Sequence, residues 1–227
     1  MNYQEIIKFG TEIYCLDINS RGSGFILRKD GLIGTNWHVV HSNEGVCSKT
    51  IVVRDQDNNK YPAKILKTDR EKDFAVLKID NVFDKEPMLG EFDSVVAFDE
   101  VYFVGRGLDI PNISLHKGWI SMKTQKDGLE ILQIDGPINQ GNSGGPVFNK
   151  KGKIIAIITQ TEARFDMDLQ SLLQLIPQLQ GDITIFGIRL PETLRRIIFY
   201  LNRNRFVGVG YAFSIEYIKR ALKDLEP

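Results

Sequence analysis

A serine flanked by glycines is the residue in this chain best placed to do chemistry. Ser143 stands in the run Gly141-Asn142-Ser143-Gly144-Gly145-Pro146. A serine hydroxyl is a poor nucleophile near neutral pH and needs a neighbouring base to take its proton. The oxyanion that follows its attack on a carbonyl needs backbone N–H donors, and glycines let the main chain turn those groups inward. The run alone fits either a hairpin turn or a nucleophile loop.

Two further segments supply a base and an orienting acid for that serine. His38 lies in Thr35-Asn36-Trp37-His38-Val39-Val40, and Asp73 opens the run Asp73–Lys78. The chain order His, Asp, Ser is that of the chymotrypsin class of serine proteases. Asp69 and Asp80 compete for the acid role, but both are interpreted as surface residues. The sequence therefore predicts that His38, Asp73 and Ser143 converge in one site.

The other histidines and the tryptophans receive plainer interpretations. His41 could pair with His38 on a metal, but the pattern lacks a third ligand, so we expect a loop histidine and no metal site. His116 is interpreted as a surface strand residue. Trp37 and Trp119 are interpreted as core or interbarrel packing.

The elements that must position these residues are short strands separated by Gly, Asn and Asp. Six are predicted in the first 80 residues: Thr11–Asp17, Gly24–Arg28, Leu32–Thr35, Ile51–Arg54, Ala63–Thr68 and Phe74–Ile79. Six more follow: Val101–Val104, Ser114–Ser121, Leu129–Asp135, Pro146–Phe148, Ile154–Thr159 and Phe206–Phe213. Two sets of six indicate an all-β chain built of two six-stranded antiparallel barrels. We expect one domain over residues 1–85 and a second over 86–227.

Two helical features interrupt or follow the second set of strands. Residues 162–205 are predicted to form a helical insert, because apolar residues recur there at helical spacing. Residues 214–225 are predicted to form a C-terminal helix with Ser214 as its N-cap. The insert is either an ordinary decoration that packs on its own domain or an element that regulates or assembles the protein.

With these pieces in place, the chain resembles the protease domain of the HtrA (DegP-like) family of chymotrypsin-fold serine peptidases. The matching runs include Gly22-Ser23-Gly24-Phe25-Ile26, Thr35–Val40, Asp73–Lys78, Ile138–Val147 and Gly208-Val209-Gly210-Tyr211-Ala212. The resemblance covers roughly residues 10–160 and 206–222, and it fails across 162–205. We expect the PDZ domain usual in that family to be absent here.

The resemblance implies a role for each matched residue. His38 would be the general base and later the general acid, Asp73 its orienting carboxylate, and Ser143 the nucleophile. The oxyanion hole would be formed at Gly141, Asn142 and Ser143, with the N–H groups of Gly141 and Ser143 as donors. Asn142 stands where pancreatic-type zymogens carry the aspartate that pairs with a new N-terminus, so activation by N-terminal cleavage is not expected.

The resemblance also implies which residues line the pocket for the residue before the scissile bond. They are Pro137, Ile138, Ile158, Thr159, Gln160, Thr161, Val209 and Tyr211. Pro137 occupies the place of the acidic pocket floor of trypsin-type enzymes, so cleavage after Lys or Arg is disfavoured. A pocket of this composition favours small or medium aliphatic residues.

These observations predict a serine endopeptidase that acts on polypeptides through an acyl-enzyme and needs no cofactor. We expect its activity to be regulated, with residues 162–205 serving as a lid, a self-association contact or the docking site of a regulatory partner. The alternative is a catalytically idle trypsin-fold module that binds a partner protein.

Composition excludes several other classes of function. The 29 basic and 29 acidic residues balance, which argues against a nucleic-acid-binding face. No apolar run approaches the roughly 20 residues of a membrane span. The first residues do not resemble a signal peptide, and Cys15 and Cys47 read as reduced thiols, so the prediction is a cytoplasmic protein.

Overall fold

The computed structural model describes residues 3–106, 112–139, 141–159, 184–185, 188–189, 192–194, 196 and 208–225. Contacts divide the chain into two compact units. One comprises residues 1–160 and 208–227, and the other comprises residues 161–207. The first unit contains both barrels.

The first barrel closes from six antiparallel strands in the order β1-β2-β3-β6-β5-β4. Their bounds are β1 Gly10–Cys15, β2 Ser20–Arg28, β3 Leu32–Thr35, β4 Ile51–Arg54, β5 Lys60–Asp69 and β6 Phe74–Ile79. β5 alternates exposed and half-buried residues, as expected of a strand with one face to solvent. The barrel is filled by apolar side chains such as Ile13, Ile33, Val53 and Leu77, all fully buried.

The second barrel closes in the order β10-β11-β14-β9-β8-β7. Its strands are β7 Glu100–Arg106, β8 Ile113–Lys126, β9 Leu129–Asp135, β10 Pro146–Asn149, β11 Ile154–Thr159 and β14 Val209–Ser214. Phe103, Ile120, Leu132 and Ile134 are fully buried in its core. The two predicted sets of six strands, and the two barrels they form, are thus confirmed; the domain boundary at residues 85/86 remains a prediction.

A third apolar cluster joins the barrels to each other. It brings Phe25 and Val76 of the first barrel together with Val104 and Phe148 of the second. The C-terminal helix α3, Glu216–Lys223, adds Tyr217, Ile218 and Ala221 to this cluster. Burial of this apolar surface fixes the barrels against each other and so determines how residues at their junction meet.

The remaining elements are short. Helix α1 spans Tyr3–Ile6 and a 3₁₀ turn spans Ile7–Phe9, while helix α2 is the single turn Trp37–Val40. Another 3₁₀ turn covers Phe92–Ser94. In the second unit, β12 Thr184–Ile185 pairs antiparallel with β13 Ile188–Arg189, and residues 192–194 and 196 are helical. Most of the predicted insert at 162–205 lies outside the described residues.

Three details of the sequence prediction need correction. The C-terminal helix begins at Glu216, because Ser214 ends β14; its hydroxyl still accepts the Glu216 N–H at 3.2 Å. Trp119 is 49% exposed rather than packed in a core, and the Lys117 ammonium lies 5.3 Å above its ring. His116 is half-buried against Phe103, with ring centroids 5.1 Å apart, and this burial lowers the pKa of its imidazole.

Candidate active site

The structure brings His38 and Asp73 into direct contact. His38 lies on α2, the turn that follows β3, and its Nδ1 is 2.8 Å from Asp73 Oδ2 and 3.0 Å from Oδ1. Asp73 immediately precedes β6 and has a φ of +45°, a left-handed conformation that aspartate tolerates better than most residues. When Nδ1 donates its proton to this carboxyl group, Nε2 carries the free lone pair that a general base needs.

Asp73 is held by further hydrogen bonds. Its carboxyl group also accepts the His38 backbone N–H at 3.1 Å and the Thr159 hydroxyl. The Asn36 side-chain amide donates to the Asp73 backbone carbonyl at 2.8 Å. Thr159 was predicted to line the substrate pocket, and its hydroxyl bond to Asp73 was missed because no local pattern links residues 86 positions apart.

The loop that carries Ser143 has the backbone geometry its glycines suggested. Gly141 has a φ of +100° and Gly144 a φ of +88°. A Cβ on Gly144 would lie 2.1 Å from the Ser23 carbonyl oxygen and 2.4 Å from Thr35 Oγ1, so only glycine fits there. Ser143 itself is 5% exposed.

Two backbone N–H groups in this loop have no hydrogen-bond acceptor among the residues that the structure describes. They belong to Gly141 and Ser143. The Asn142 carbonyl accepts the Gly145 N–H at 2.9 Å. Because the C=O and N–H of a trans peptide point in opposite directions, this bond turns the Ser143 N–H away from Gly145. An oxyanion requires two backbone donors of this kind.

The Ser143 loop is anchored to the elements that hold Asp73 and His38. The Gly144 N–H donates to the Ile158 carbonyl, and the Ile158 N–H donates to the Gly145 carbonyl, both at 2.9 Å. Ile158 precedes Thr159, which bonds to Asp73. Within the described residues no hydrogen bond joins His38 directly to Ser143.

Gly22 provides a second link between the loop and α2. A Cβ built on Gly22 would lie 2.7 Å from the Val39 side chain and 3.0 Å from the Ser143 carbonyl oxygen. The residue after His38 and the backbone of Ser143 therefore pack on the same glycine. A larger side chain at this position would push the two apart.

The predicted pocket residues are distributed around the second barrel. Ile138 is 5% exposed and packs on Gly210, where a Cβ would lie 2.5 Å from it. Ile158 belongs to the core of this barrel, Val209 is 42% exposed, and the Tyr211 hydroxyl accepts a bond from Gln133 at 3.4 Å. Pro137 directly precedes Ile138, and its carbonyl accepts a bond from the Asn139 side-chain amide at 3.3 Å. Gln160 and Thr161 lie outside the described residues.

No metal site accompanies this arrangement in the part of the chain that is described. There, no group of three or more His, Cys, Asp or Glu side chains is placed to hold an ion. His41 stacks on Trp37, with ring centroids 4.3 Å apart, and its Nδ1 is 3.0 Å from the Trp37 carbonyl oxygen. Cys15 is buried, which raises the pKa of its thiol to about 11, and Cys47 is exposed.

Two barrels with a histidine–aspartate pair and a glycine-rich serine loop at their junction define the class of chymotrypsin-type serine proteases. Comparison with known proteins gives the family. A family model described as a trypsin-like peptidase domain matches residues 22–157, more than half of the chain. The chain therefore belongs to the trypsin-like peptidase domain family.

Several curated relatives share this part of the chain. The magnetosome formation protease MamE of Paramagnetospirillum magneticum is 38% identical over 155 residues, which cover 63% of this chain and 20% of MamE. Proteins named probable periplasmic serine endoprotease DegP-like are 34% identical in Pseudomonas putida (65% of this chain, 31% of the relative) and 32% in Ectopseudomonas mendocina (73% and 36%). The chain thus spans about a fifth to a third of the length of these relatives.

Solved structures agree on the fold. The HtrA-type protease AlgW, solved with a tripeptide, has a TM-score of 0.70 and 21% identity over 99% of this chain and 64% of that one. A serine endoprotease from Yersinia pestis has a TM-score of 0.66 and 23% identity, covering 99% of this chain and 66% of that one.

The cytoplasmic location stays a prediction, and the DegP-like relatives are themselves named as periplasmic. Among the described residues, no helix combines the length and apolar character that crossing a membrane requires.

Proposed function

We propose that this chain hydrolyses peptide bonds through an acyl-enzyme formed on Ser143, with His38 as acid–base catalyst and Asp73 as its orienting group. One observation carries the proposal: His38 Nδ1 lies 2.8 Å from the Asp73 carboxyl group, beside the strand in which Ile158 anchors the Ser143 loop and Thr159 bonds to Asp73. The family membership supports the same chemistry.

Catalysis follows in two halves. His38 Nε2 takes the proton of Ser143 as Oγ attacks the scissile carbonyl carbon, and the resulting oxyanion receives hydrogen bonds from the Gly141 and Ser143 N–H groups. His38 then gives the proton to the leaving amine, which breaks the C–N bond and leaves an ester on Ser143. In the second half, His38 takes a proton from a water molecule that attacks the ester carbon. His38 returns this proton to Ser143 Oγ as the C–O bond breaks, which releases the carboxylic acid. The His38–Ser143 hydrogen bond forms when substrate binds, since such bonds are often long in free enzymes.

The proposed substrate residue before the scissile bond is small or medium and aliphatic. Ile138 fills the space over Gly210, and Pro137 brings no charge to the pocket floor. Burying a lysine ammonium or an arginine guanidinium there without an acidic partner would cost several kcal/mol.

We further propose that the insert predicted at residues 162–205, which lies within the unit of residues 161–207, regulates this activity as a lid, a self-association contact or the docking site of a partner. Residues 161–207 form a compact unit of their own. They connect β11, which carries Thr159, to β14, which carries Val209 and Tyr211. A force on this connection acts on strands that contribute residues to the candidate site.

Covalent labelling tests the proposed activity and the proposed pocket together. The probes are a fluorophosphonate and two peptidyl phosphonates with Val or Lys next to the phosphorus. We expect the fluorophosphonate and the Val probe to label the protein, the Lys probe to label it at least about tenfold more slowly, and Ser143→Ala to abolish labelling. Peptide hydrolysis by Ser143→Ala should fall by about 10⁶-fold, as in other serine proteases.

Ser121→Ala is the matched control for this experiment. Ser121 lies exposed on β8, and its hydroxyl donates to the Gln133 carbonyl at 3.2 Å. The control should label like the unmodified protein. A folded protein that none of the probes labels would contradict catalysis and favour the idle partner-binding module.

A further inference from the structure

We propose that Ser23 is a positioning residue that holds the backbone of the Ser143 loop in the conformation that stabilises an oxyanion. Ser23 lies on β2 of the first barrel, whereas the loop precedes β10 of the second. The proposal deepens the proposed function, because its main consequence is measured on the hydrolysis assigned to Ser143.

Four hydrogen bonds meet at Ser23. Its hydroxyl donates to the Gly141 carbonyl at 2.6 Å and accepts the Arg106 backbone N–H at 2.8 Å. Its own N–H donates to the Ser143 carbonyl at 2.8 Å, and its carbonyl accepts the Thr35 hydroxyl at 2.7 Å. Ser23 is fully buried, so water does not compete for these groups.

These bonds fix the peptide planes on either side of Asn142. The plane between Gly141 and Asn142 is held at its carbonyl by Ser23 and at its N–H by the Asn139 carbonyl, 3.0 Å away. The plane between Asn142 and Ser143 is held at its carbonyl by Gly145. With both planes fixed, the direction of the Ser143 N–H is set by bonds in which Ser143 Oγ takes no part.

Hydrogen bonds of the Asn142 side chain and of the Arg106 backbone also hold this loop. The Asn142 side chain accepts the Asn139 N–H at 2.7 Å and donates to the Arg106 carbonyl at 3.1 Å. The Arg106 backbone therefore bonds to both residues: its N–H donates to the Ser23 hydroxyl, and its carbonyl accepts the Asn142 side-chain amide. Its guanidinium lies 3.6 Å from the buried carboxyl group of Glu12 on β1. The Ser143 loop is therefore clamped to the first barrel through Ser23 and through Arg106.

Removing the Ser23 hydroxyl would take away the hydrogen-bond partner of the Gly141 carbonyl and of the Arg106 N–H, both of which belong to half-buried residues. Such groups regain hydrogen bonds by rotating or by admitting water. Rotation of the Gly141–Asn142 plane would move the neighbouring N–H groups out of line with the oxyanion. Substrate contacts made by the pocket would not change, so the loss should fall on the transition state rather than on substrate binding.

Ser23→Ala tests this inference. We expect kcat on a Val-containing peptide to fall about 10- to 100-fold while KM stays within about twofold. The affinity for a peptidyl boronate, whose tetrahedral adduct places an oxygen where the oxyanion forms, should fall by a similar factor. The affinity for the corresponding product peptide should not change. If Ser23 contributed only to stability, neither the ratio of kcat to KM nor the ratio of boronate affinity to product affinity would change.

Ser214→Ala is the matched control, because Ser214 is also a buried serine whose hydroxyl accepts one backbone N–H. It should keep kcat and boronate affinity. If Ser23→Ala does not fold, Ser23→Cys replaces it, because a thiol keeps most of the side-chain volume but donates only a weak hydrogen bond. Its kcat and boronate affinity should also fall, by smaller factors. A kcat within twofold of the unmodified protein, or equal losses of boronate and product affinity, would overturn the proposal.

A readout that needs no activity separates this inference from the proposed function. Backbone ¹⁵N–¹H resonances of Gly141, Asn142 and Ser143 should shift or broaden in Ser23→Ala and stay in place in Ser214→Ala. If the unmodified protein hydrolyses nothing, the proposed function fails, and these resonances still decide the inference. Unchanged resonances at all three residues would refute it.

Discussion

Asp73 holds three elements of the site at once. Its carboxyl group contacts His38 on α2 and Thr159 at the end of β11, while its backbone carbonyl accepts the Asn36 side chain at the end of β3. A carboxyl group with several donors has little freedom to rotate, so the imidazole bonded to it keeps one orientation. Thr159 is the donor that comes from the second barrel, and it therefore ties the orientation of His38 to the interface.

Thr159→Val removes that donor and keeps the shape of the side chain. We expect kcat to fall about tenfold, because loss of one hydrogen bond to the carboxyl group loosens the His38–Asp73 pair by about 1–2 kcal/mol. Thr159→Ser, which retains the hydroxyl, should keep at least half of the activity. Steady-state kinetics with a Val-containing peptide measures both, and equal activity of the two variants would show that the hydroxyl plays no part.

At the scale of elements, a buried charge cluster joins strands of both barrels. The Glu12 side chain on β1 is 2% exposed; it lies 2.6 Å from Arg54 on β4 and 3.6 Å from Arg106 on β7. The Tyr14 hydroxyl donates to the same carboxyl group. Removing one partner of a buried ion pair leaves the other charge uncompensated, which costs more than the pair contributes when intact.

Glu12→Gln should lower the free energy of unfolding by about 3 kcal/mol, because both guanidinium groups lose their buried counter-charge. Urea unfolding followed by tryptophan fluorescence measures the change. Glu5→Gln is the matched control: Glu5 pairs with Lys85 at 2.8 Å, but both side chains are at least half exposed, so little change is expected. If the two substitutions lowered the free energy of unfolding by similar amounts, burial would not explain the contribution of the Glu12 cluster to stability.

At the scale of the whole molecule, residues 161–207 are inserted where two strands pair directly. Thr159 on β11 is opposite Tyr211 on β14, so the chain leaves and re-enters the barrel at neighbouring points. A short turn can join antiparallel strands at such a point. We therefore expect the hydrogen bonds that close the second barrel to form without the insert.

Replacing residues 161–207 by a three-residue Gly/Ser turn should leave the remaining chain folded, with a thermal midpoint within about 4 °C of the full chain. If the insert regulates the protein as proposed, the rate of peptide hydrolysis should change at least about tenfold, or the mass in solution should change. Calorimetry, peptide hydrolysis and light scattering test these three expectations. Unchanged activity together with unchanged mass would refute a regulatory role and leave the insert a decoration.

Much of the fold could be predicted from local patterns, because the composition of these short strands differs from that of the turns between them. Alternating and β-branched runs separated by Gly, Asn and Asp located the strands to within a few residues. The Ser143 loop was recognisable as a candidate nucleophile loop because glycines on both sides let the main chain turn its N–H groups inward, and Gly141 and Gly144 do adopt positive φ. The exposure of Trp119 was missed, since an aromatic residue in a strand has the same local pattern whether it faces the core or solvent.

The sequence by itself determined the residue types that this chemistry needs, their order along the chain and the strands that carry them, because those depend on backbone preferences and short-range periodicity. Only the tertiary structure decided that Thr159 faces Asp73, that Ser23 holds the Gly141 carbonyl, and that Glu12 is buried between two arginines. Each of those contacts joins residues far apart in sequence. They exist because closure of the two barrels and burial of the apolar surface between them leave one arrangement in which those polar groups find partners.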